Sequence, residues 1–390
     1  MRSNMSMFTF MAGIYIHIPF CRKACHYCNF HFSTSFKTKE ELIGAMVVEI
    51  AMQAAYLDGQ EIETIYFGGG TPSALPIEDI KQILGAIKDL HQIADDAEIT
   101  LEANPDDIHA DSVTQWKETG INRLSIGIQA FQDDLLAAWN RSHNAGQAMK
   151  AIALAQQAGI DNITADLIYG GPGLSDADWV SNIQRLIDAD IPHISSYALT
   201  VETGTALHHQ IEKGKSMMPD DDQANRQYAI LQDMLTANGI LQYEISNFAI
   251  PGFESRHNGS YWSGAHYLGI GPSAHSYNGD SRQWNVSNNV RYIQSIGSGV
   301  IPSEMEILTE VQRFNELVMT GLRTSKGIDM KRVAAIGEKY THYLEAAIIH
   351  KQSTTREQYP FIKNEMGNWM LKKEFLFFAD GIAGEMFFEG

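Results

Sequence analysis

The chain has 390 residues, more than a single hydrophobic core usually organises, so one large domain with a smaller one is the expected plan. Lys and Arg total 29 against 47 Asp and Glu, a formal charge of −18 with no basic run, which argues against sequence-independent nucleic-acid binding. Its only cysteines are Cys21, Cys25 and Cys28, an odd number crowded into one loop, so no disulfide framework is expected and the protein reads as cytoplasmic.

The first residues, MRSNMSMFTFMA, lack a continuous apolar stretch and a small-residue cleavage site, and read as an extension (1–12) before the ordered pattern starts. No apolar run approaches the roughly 18 residues that span a bilayer, which leaves only peripheral membrane contact open. Short β-rich runs then alternate with helical spacing. The predicted strands are GIYIHI (13–18), TIYFG (64–68), EITLEA (98–103), RLSIGIQ (123–129), NITADLIYG (162–170) and HISSYAL (193–199). Between them lie helical patterns such as 39–57, with Leu42, Met46, Ile50 and Ala54, and 146–159, with Ala148, Ile152 and Ala155. Strand followed by helix, repeated, means parallel β/α units over 13–200, in an open sheet or a barrel. Either way, functional groups collect where strands end, and those places hold the cysteine loop, GGGTP (68–72), EANP (102–105) and YGGPG (169–173).

Beyond residue 200 a polar helix follows MPDDD (218–222), and a Gly-, Asn- and aromatic-rich segment runs from 243 to 287, within a mixed region spanning 201–304. Residues 305–390 predict a small helical domain, with helices at 308–323, 329–337 and about 342–352, closed by a β-hairpin or wing within 369–388. It resembles a winged helix without a basic recognition face, so DNA is not its expected partner.

C-x3-C-x2-C puts three thiolates in one loop, a soft donor set. A structural zinc site wants four closed ligands; His26 or His31 would have to supply the last, because no second cysteine pair exists. A four-iron cluster on three cysteines instead keeps one iron open to a ligand. Glycines at 68–70 let a ligand approach the backbone, although a plain tight turn is the simpler reading of a lone glycine run. Glu102 ends the third strand, where a carboxylate can accept ribose hydroxyls or merely cap the next helix. Gln129, Arg141 and Asp166 lie at or near strand ends, where structural pairing is the alternative.

The three-cysteine motif after a first strand, with Tyr27 before the last cysteine, resembles the radical S-adenosylmethionine superfamily. That resemblance implies a partial (β/α)6 barrel and a 4Fe-4S cluster held by Cys21, Cys25 and Cys28, with S-adenosylmethionine on the open iron. In order, Y-x-H-x-P-F-C, GGGTP, LEANP, SIGIQ, NRSH and DLIYG are similar to the coproporphyrinogen III dehydrogenase-like (HemN-like) branch. By that likeness Tyr15, Gly69, Gly70, Thr71, Glu102, Gln129, Arg141 and Asp166 are expected cofactor contacts, with Tyr27, Ala198 and His275 as further ones.

Two departures bear on function. The dehydrogenases carry a longer N-terminal segment and a further cysteine two residues after the third, where this chain has Phe30. HNGSYW (257–262) is similar to the H-N-x-x-Y-W motif of the HemW haem-chaperone group of the same family. This implies a haem-binding protein that serves acceptor haemoproteins, respiratory ones being one candidate class. His257 is then expected as an exposed iron ligand with Tyr261 and Trp262 against the porphyrin; the plainer reading of the segment is a surface turn at Asn258-Gly259. The alternatives are oxygen-independent coproporphyrinogen III dehydrogenation, with a radical abstracting hydrogen from a propionate before decarboxylation, and radical chemistry on another substrate.

Overall fold

The computed structural model describes residues 12–354 and 359–390, without the side chains of 352–354; nearly all of the expected N-terminal extension lies outside them. The strands are β1 (Ala12–Ile18), β2 (Ile62–Gly69), β3 (Ile93–Ala103), β4 (Arg123–Gln129), β5 (Asn162–Tyr169), β6 (His193–Ala198), β7 (Leu241–Gln242), β8 (Asn247–Ala249), β9 (His266–Ile270), β10 (His275–Tyr277), β11 (Ser281–Asn285), β12 (Ser303–Ile307), β13 (Phe361–Lys363) and β14 (Trp369–Leu371). The helices are α1 (Lys39–Met52), α2 (Ile77–Leu90), α3 (Ala110–Thr119), α4 (Asp133–Ala138), α5 (Ala145–Gln157), α6 (Asp176–Asp188), α7 (Ala206–Glu212), α8 (Asp221–Ala237), α9 (Arg256–Ser263), α10 (Asn289–Gly297), α11 (Glu310–Leu322), α12 (Met330–Ile336), α13 (Glu338–Thr354) and α14 (Ala379–Glu385). All six expected β/α strands are present.

Two units emerge. The first takes residues up to Asp166, 201–216 and 255–306; the second takes 167–200, 217–254 and everything from Ile307. The expected C-terminal domain thus falls in the second unit, together with two segments that the sequence pattern does not set apart.

In the first unit the strand order is β12-β11-β10-β9-β1-β2-β3-β4. β1 pairs in parallel with both β2 and β9, and β2–β3 and β3–β4 are parallel as well. Side chains alternate across a strand, and here the two faces differ in chemistry. One presents Ile14, Ile16 and Ile18, then Ile65 and Phe67, Leu101, and Leu124 and Ile126, all buried. Helices such as α1 and α2 bury Leu42, Met46, Ile50, Ile80, Ile83 and Ile87, as helices covering a parallel sheet must. The opposite face carries Tyr15 and His17, Thr64 and Tyr66, Glu98, Thr100 and Glu102, and Arg123 and Ser125. That polar row runs from the starts of the strands to their ends and lines the candidate site.

In the second unit β6 and β7 each pair antiparallel with β8. Its helical part buries Phe314, Val318, Leu322, Tyr340, Leu344 and Phe361 in one core. The wing is β13 against β14. After Leu371 the chain is helical where a strand was expected: Ala379, Ile382, Ala383 and Met386 repeat at helical spacing, and that stripe is buried in the core. Among the described residues no helix is long and apolar enough to cross a membrane.

Candidate functional site

The cysteine loop leaves the C-terminal end of β1 through Pro19 and Phe20 and is held from several sides. Gly70 N–H donates to the Ile18 carbonyl at 2.8 Å and Thr71 N–H to the Phe20 carbonyl at 2.7 Å, so the glycine run is stitched to the chain just before Cys21. Side chains at 69 and 70 would collide: a Cβ on Gly69 would lie 2.5 Å from His17 Nδ1, and one on Gly70 2.7 Å from the Ile18 and Phe20 carbonyls. Gly69 also has φ +103°, which L side chains avoid. Arg22 pairs with buried Asp107 at 2.9 Å, and Asp107 accepts from Ser73 at 2.8 Å, tying the cysteine, GGGTP and EANP loops together.

The three thiols are free and partly shielded. The Thr71 hydroxyl donates to Cys21 Sγ at 3.4 Å and Arg141 Nη1 to Cys25 Sγ at 3.2 Å, while Asn140 donates to the Ala24 carbonyl at 2.7 Å. Burial pushes the Cys21 thiol up to about 11 and raises Cys28, so without a cation these sulfurs hold their protons; a metal centre would deprotonate them. Burial opposes the charge of Arg141, but Tyr27 and Cys25 beside it hold its pKa above the usual value. Its Nη2 donates to Asn104 at 2.8 Å and to the Gly127 carbonyl at 2.6 Å. The two candidates for a fourth protein ligand face elsewhere: His26 Nδ1 meets the Ala138 carbonyl at 2.8 Å and His31 Nε2 meets Asn289 at 2.7 Å. Three soft donors and a guanidinium, with both candidate imidazoles hydrogen-bonded elsewhere, fit a cluster with one open iron.

The polar row continues inward from this loop. Tyr66 donates to Glu102 Oε1 at 2.8 Å, and burial lifts the Glu102 carboxyl to about 7. Glu102 is aligned with Ser125 across β3 and β4, and Ser125 donates to Asp166 at 3.3 Å. Gln129 ends β4 with φ 69°, the left-handed region that a non-glycine residue rarely adopts and that concentrates at ligand sites. His17 Nε2 donates to the His31 carbonyl at 2.9 Å, which leaves Nδ1 to accept from Tyr15 at 3.2 Å; burial lowers its pKa to about 4 and keeps it neutral. Tyr27 packs edge-on against Trp139 at 6.0 Å, and His275 is exposed and stacked on Trp284 at 6.3 Å. Ala198 ends β6 in the second unit. Sequence reasoning missed Tyr66, Asn104, Ser125 and Asp107. For the two strand residues the signal is alternation: Tyr66 shares a face with Thr64 and Gly68, and Ser125 with Gln129.

HNGSYW departs from both expectations: it is helical, in α9, and His257 is only 1% exposed, so neither the surface turn nor the exposed ligand is found. The reason lies in Glu98, whose carboxylate accepts the backbone N–H of Arg256 at 3.1 Å and of His257 at 3.0 Å and so caps the helix start from inside the sheet. His257 then points into the polar row. Its Nδ1 shares a hydrogen bond with Thr64 at 2.7 Å and its Nε2 one with Tyr261 at 2.9 Å, and its ring stacks on Tyr66 at 5.0 Å. Burial, then the Arg123 charge, lowers its pKa to about 3. Thr64 and Arg123 lie toward the starts of their strands, so the motif enters the row from the end opposite the cysteine loop.

Residues 15–186 match the Radical SAM superfamily model. "Heme chaperone HemW" of Bacillus subtilis (strain 168) is 38% identical over 86% of this chain and 88% of its own length. The protein of the same name from Mycobacterium tuberculosis (strain H37Rv) is 36% identical over 83% of this chain and 84% of its own. Among solved structures, coproporphyrinogen III oxidase (HemN) from Escherichia coli, described as a radical SAM enzyme, superposes with a TM-score of 0.81 at 21% identity, covering 98% of this chain and 91% of that one. At that identity it shows the fold.

Proposed function

The chain belongs to the HemW haem-chaperone family of radical S-adenosylmethionine proteins, and from that premise we propose that it binds haem and hands it to acceptor haemoproteins. The carrying observation is the reach of the likeness: it extends over 86% of the chain, well past the superfamily match at 15–186, and so includes the segment with HNGSYW. The coproporphyrinogen dehydrogenase reading has the shared fold in its favour, and Phe30 stands where that branch has its extra cysteine.

We assign the 4Fe-4S cluster to Cys21, Cys25 and Cys28. S-adenosylmethionine would then rest on the row that starts there: Gly69, Gly70 and Thr71 offer backbone, Glu102 and Asp166 acceptors, and Gln129 and Arg141 donors. Tyr15, Tyr27 and His275 complete the assigned contacts in the first unit. When bound, a reduced cluster supplies an electron to the S-adenosylmethionine that its open iron holds. Three reduced thiols suit a reducing compartment, and we place the protein in the cytoplasm.

Haem is assigned to α9, with Tyr261 and Trp262 offering ring faces. His257 would supply the iron ligand through Nε2, the nitrogen that Tyr261 now engages. The test uses one anaerobic, cluster-reconstituted preparation with S-adenosylmethionine and reductant. It should pass haem to an apo-haemoprotein and yield no protoporphyrinogen from coproporphyrinogen III; appreciable turnover would contradict the assignment.

A further inference from the structure

A second group of metal-ligating side chains lies on α7, in the first unit, where it has no part in the polar row. His208, His209 and Glu212 fall within one helical turn, at i, i+1 and i+4, so both imidazoles reach the same carboxylate. One ligand atom from each lies within 4.8 Å of the other two. His209 Nδ1 is 3.1 Å and His208 Nδ1 3.7 Å from Glu212 Oε2. Ligands that each stand about 2.0–2.2 Å from a shared zinc ion are roughly 3–3.5 Å apart, so small side-chain rotations admit the ion.

One further observation points to a ligand there. His208 Nδ1 is shielded from solvent and has no hydrogen-bond partner, a cost that coordination would remove. The backbone beneath the pair is fixed as well: Thr205 Oγ1 accepts from His208 N–H at 3.2 Å and donates to the Glu202 carbonyl at 2.7 Å. Two imidazoles and one carboxylate form a borderline donor set, suited to zinc and unlike the all-oxygen sets of calcium and magnesium. Three protein ligands leave the fourth position open to water or an incoming group.

We propose that His208, His209 and Glu212 bind a zinc-class divalent cation beside the cysteine loop. The same helix holds that loop: Leu207 N–H donates to the His26 carbonyl at 2.7 Å, and the Gln210 amide meets His26 Nδ1 at 3.2 Å. His26 stands between Cys25 and Cys28. An ion locking this turn of α7 therefore stiffens the element against which the cluster loop rests.

The test is equilibrium dialysis of untagged, cluster-reconstituted protein against Zn2+, with zinc, iron and sulfide measured on the same sample and circular dichroism checking the fold. Wild type should take up about one zinc per chain with iron and sulfide unchanged. H208A/H209A should lose that zinc, and Glu212→Ala should weaken it by roughly tenfold or more. No zinc on wild type, equal zinc on the double variant, or zinc uptake matched by iron loss, which would assign it to the cysteines, each overturns the proposal.

Discussion

The Tyr261 hydroxyl lies 2.9 Å from Nε2 of His257, one helical turn away on α9, and closes the one ring nitrogen that Thr64 leaves over. On the proposed haem assignment, iron would compete with this hydroxyl for the same ring nitrogen. Removing the hydroxyl removes the competitor without touching the ring, so Tyr261→Phe should speed haem binding severalfold in stopped-flow absorbance. His257→Ala should abolish the histidine-type Soret band. A Soret spectrum unchanged by His257→Ala would remove His257 from haem ligation.

Tyr66 joins the two ends of the row, since its ring stacks on His257 and its hydroxyl donates to Glu102. A hydrogen bond to a charged group contributes about 1.5–3 kcal/mol. Tyr66→Phe should therefore weaken S-adenosylmethionine binding by about tenfold or more, read by calorimetry on reconstituted protein. An unchanged affinity would count against Glu102 as a contact that relies on this donor.

Gly69 meets two constraints at once, the positive φ and the His17 ring beneath it. Gly69→Ala forces either the backbone or His17 to move, at a cost of about 1–3 kcal/mol for the backbone conformation alone. Gly59, with φ +71° and no atom within 4 Å of an added Cβ, provides the control. Gly59→Ala should lower the thermal midpoint without affecting S-adenosylmethionine affinity, whereas Gly69→Ala should lower both.

Buried neutral histidines set the acid limit. The folded pKa of His257, about 3, lies below its unfolded value near 6.5, so between these values the unfolded chain binds more protons. This contribution is complete above pH about 6.5 and is lost as pH falls toward 3; His17 and His143, both lowered to about 4 chiefly by burial, act in the same direction. His257→Gln does not titrate. From pH 7 to pH 5 it should lose about 2 kcal/mol less stability than wild type, measured by urea midpoints at the two pH values. Equal losses would show that His257 titrates normally in the fold.

The parallel strands were legible because both their faces are buried, giving apolar runs such as the isoleucines of β1, and because turn residues bracket them. The cluster loop was legible because metal ligation constrains residue type and spacing together. His257 was misread for a physical reason: its burial depends on Glu98, 159 residues away, capping α9 from within the sheet, and no local pattern encodes that partner. Tyr66 and Asn104 were missed because, in sequence, a strand tyrosine or a loop asparagine looks the same whether or not it faces a site. The terminal helix was hidden by residues of β character, Phe375, Leu376, Phe377 and Phe378, which lie in a short 3-10 turn before α14.

The central claim, that this chain carries haem, meets its most direct test in an absorbance titration of the cluster-reconstituted protein with haemin under anaerobic conditions. The account predicts a saturable Soret shift at about one haem per chain that disappears in His257→Ala. A featureless, non-saturating rise identical to that of a protein without a haem site would contradict it.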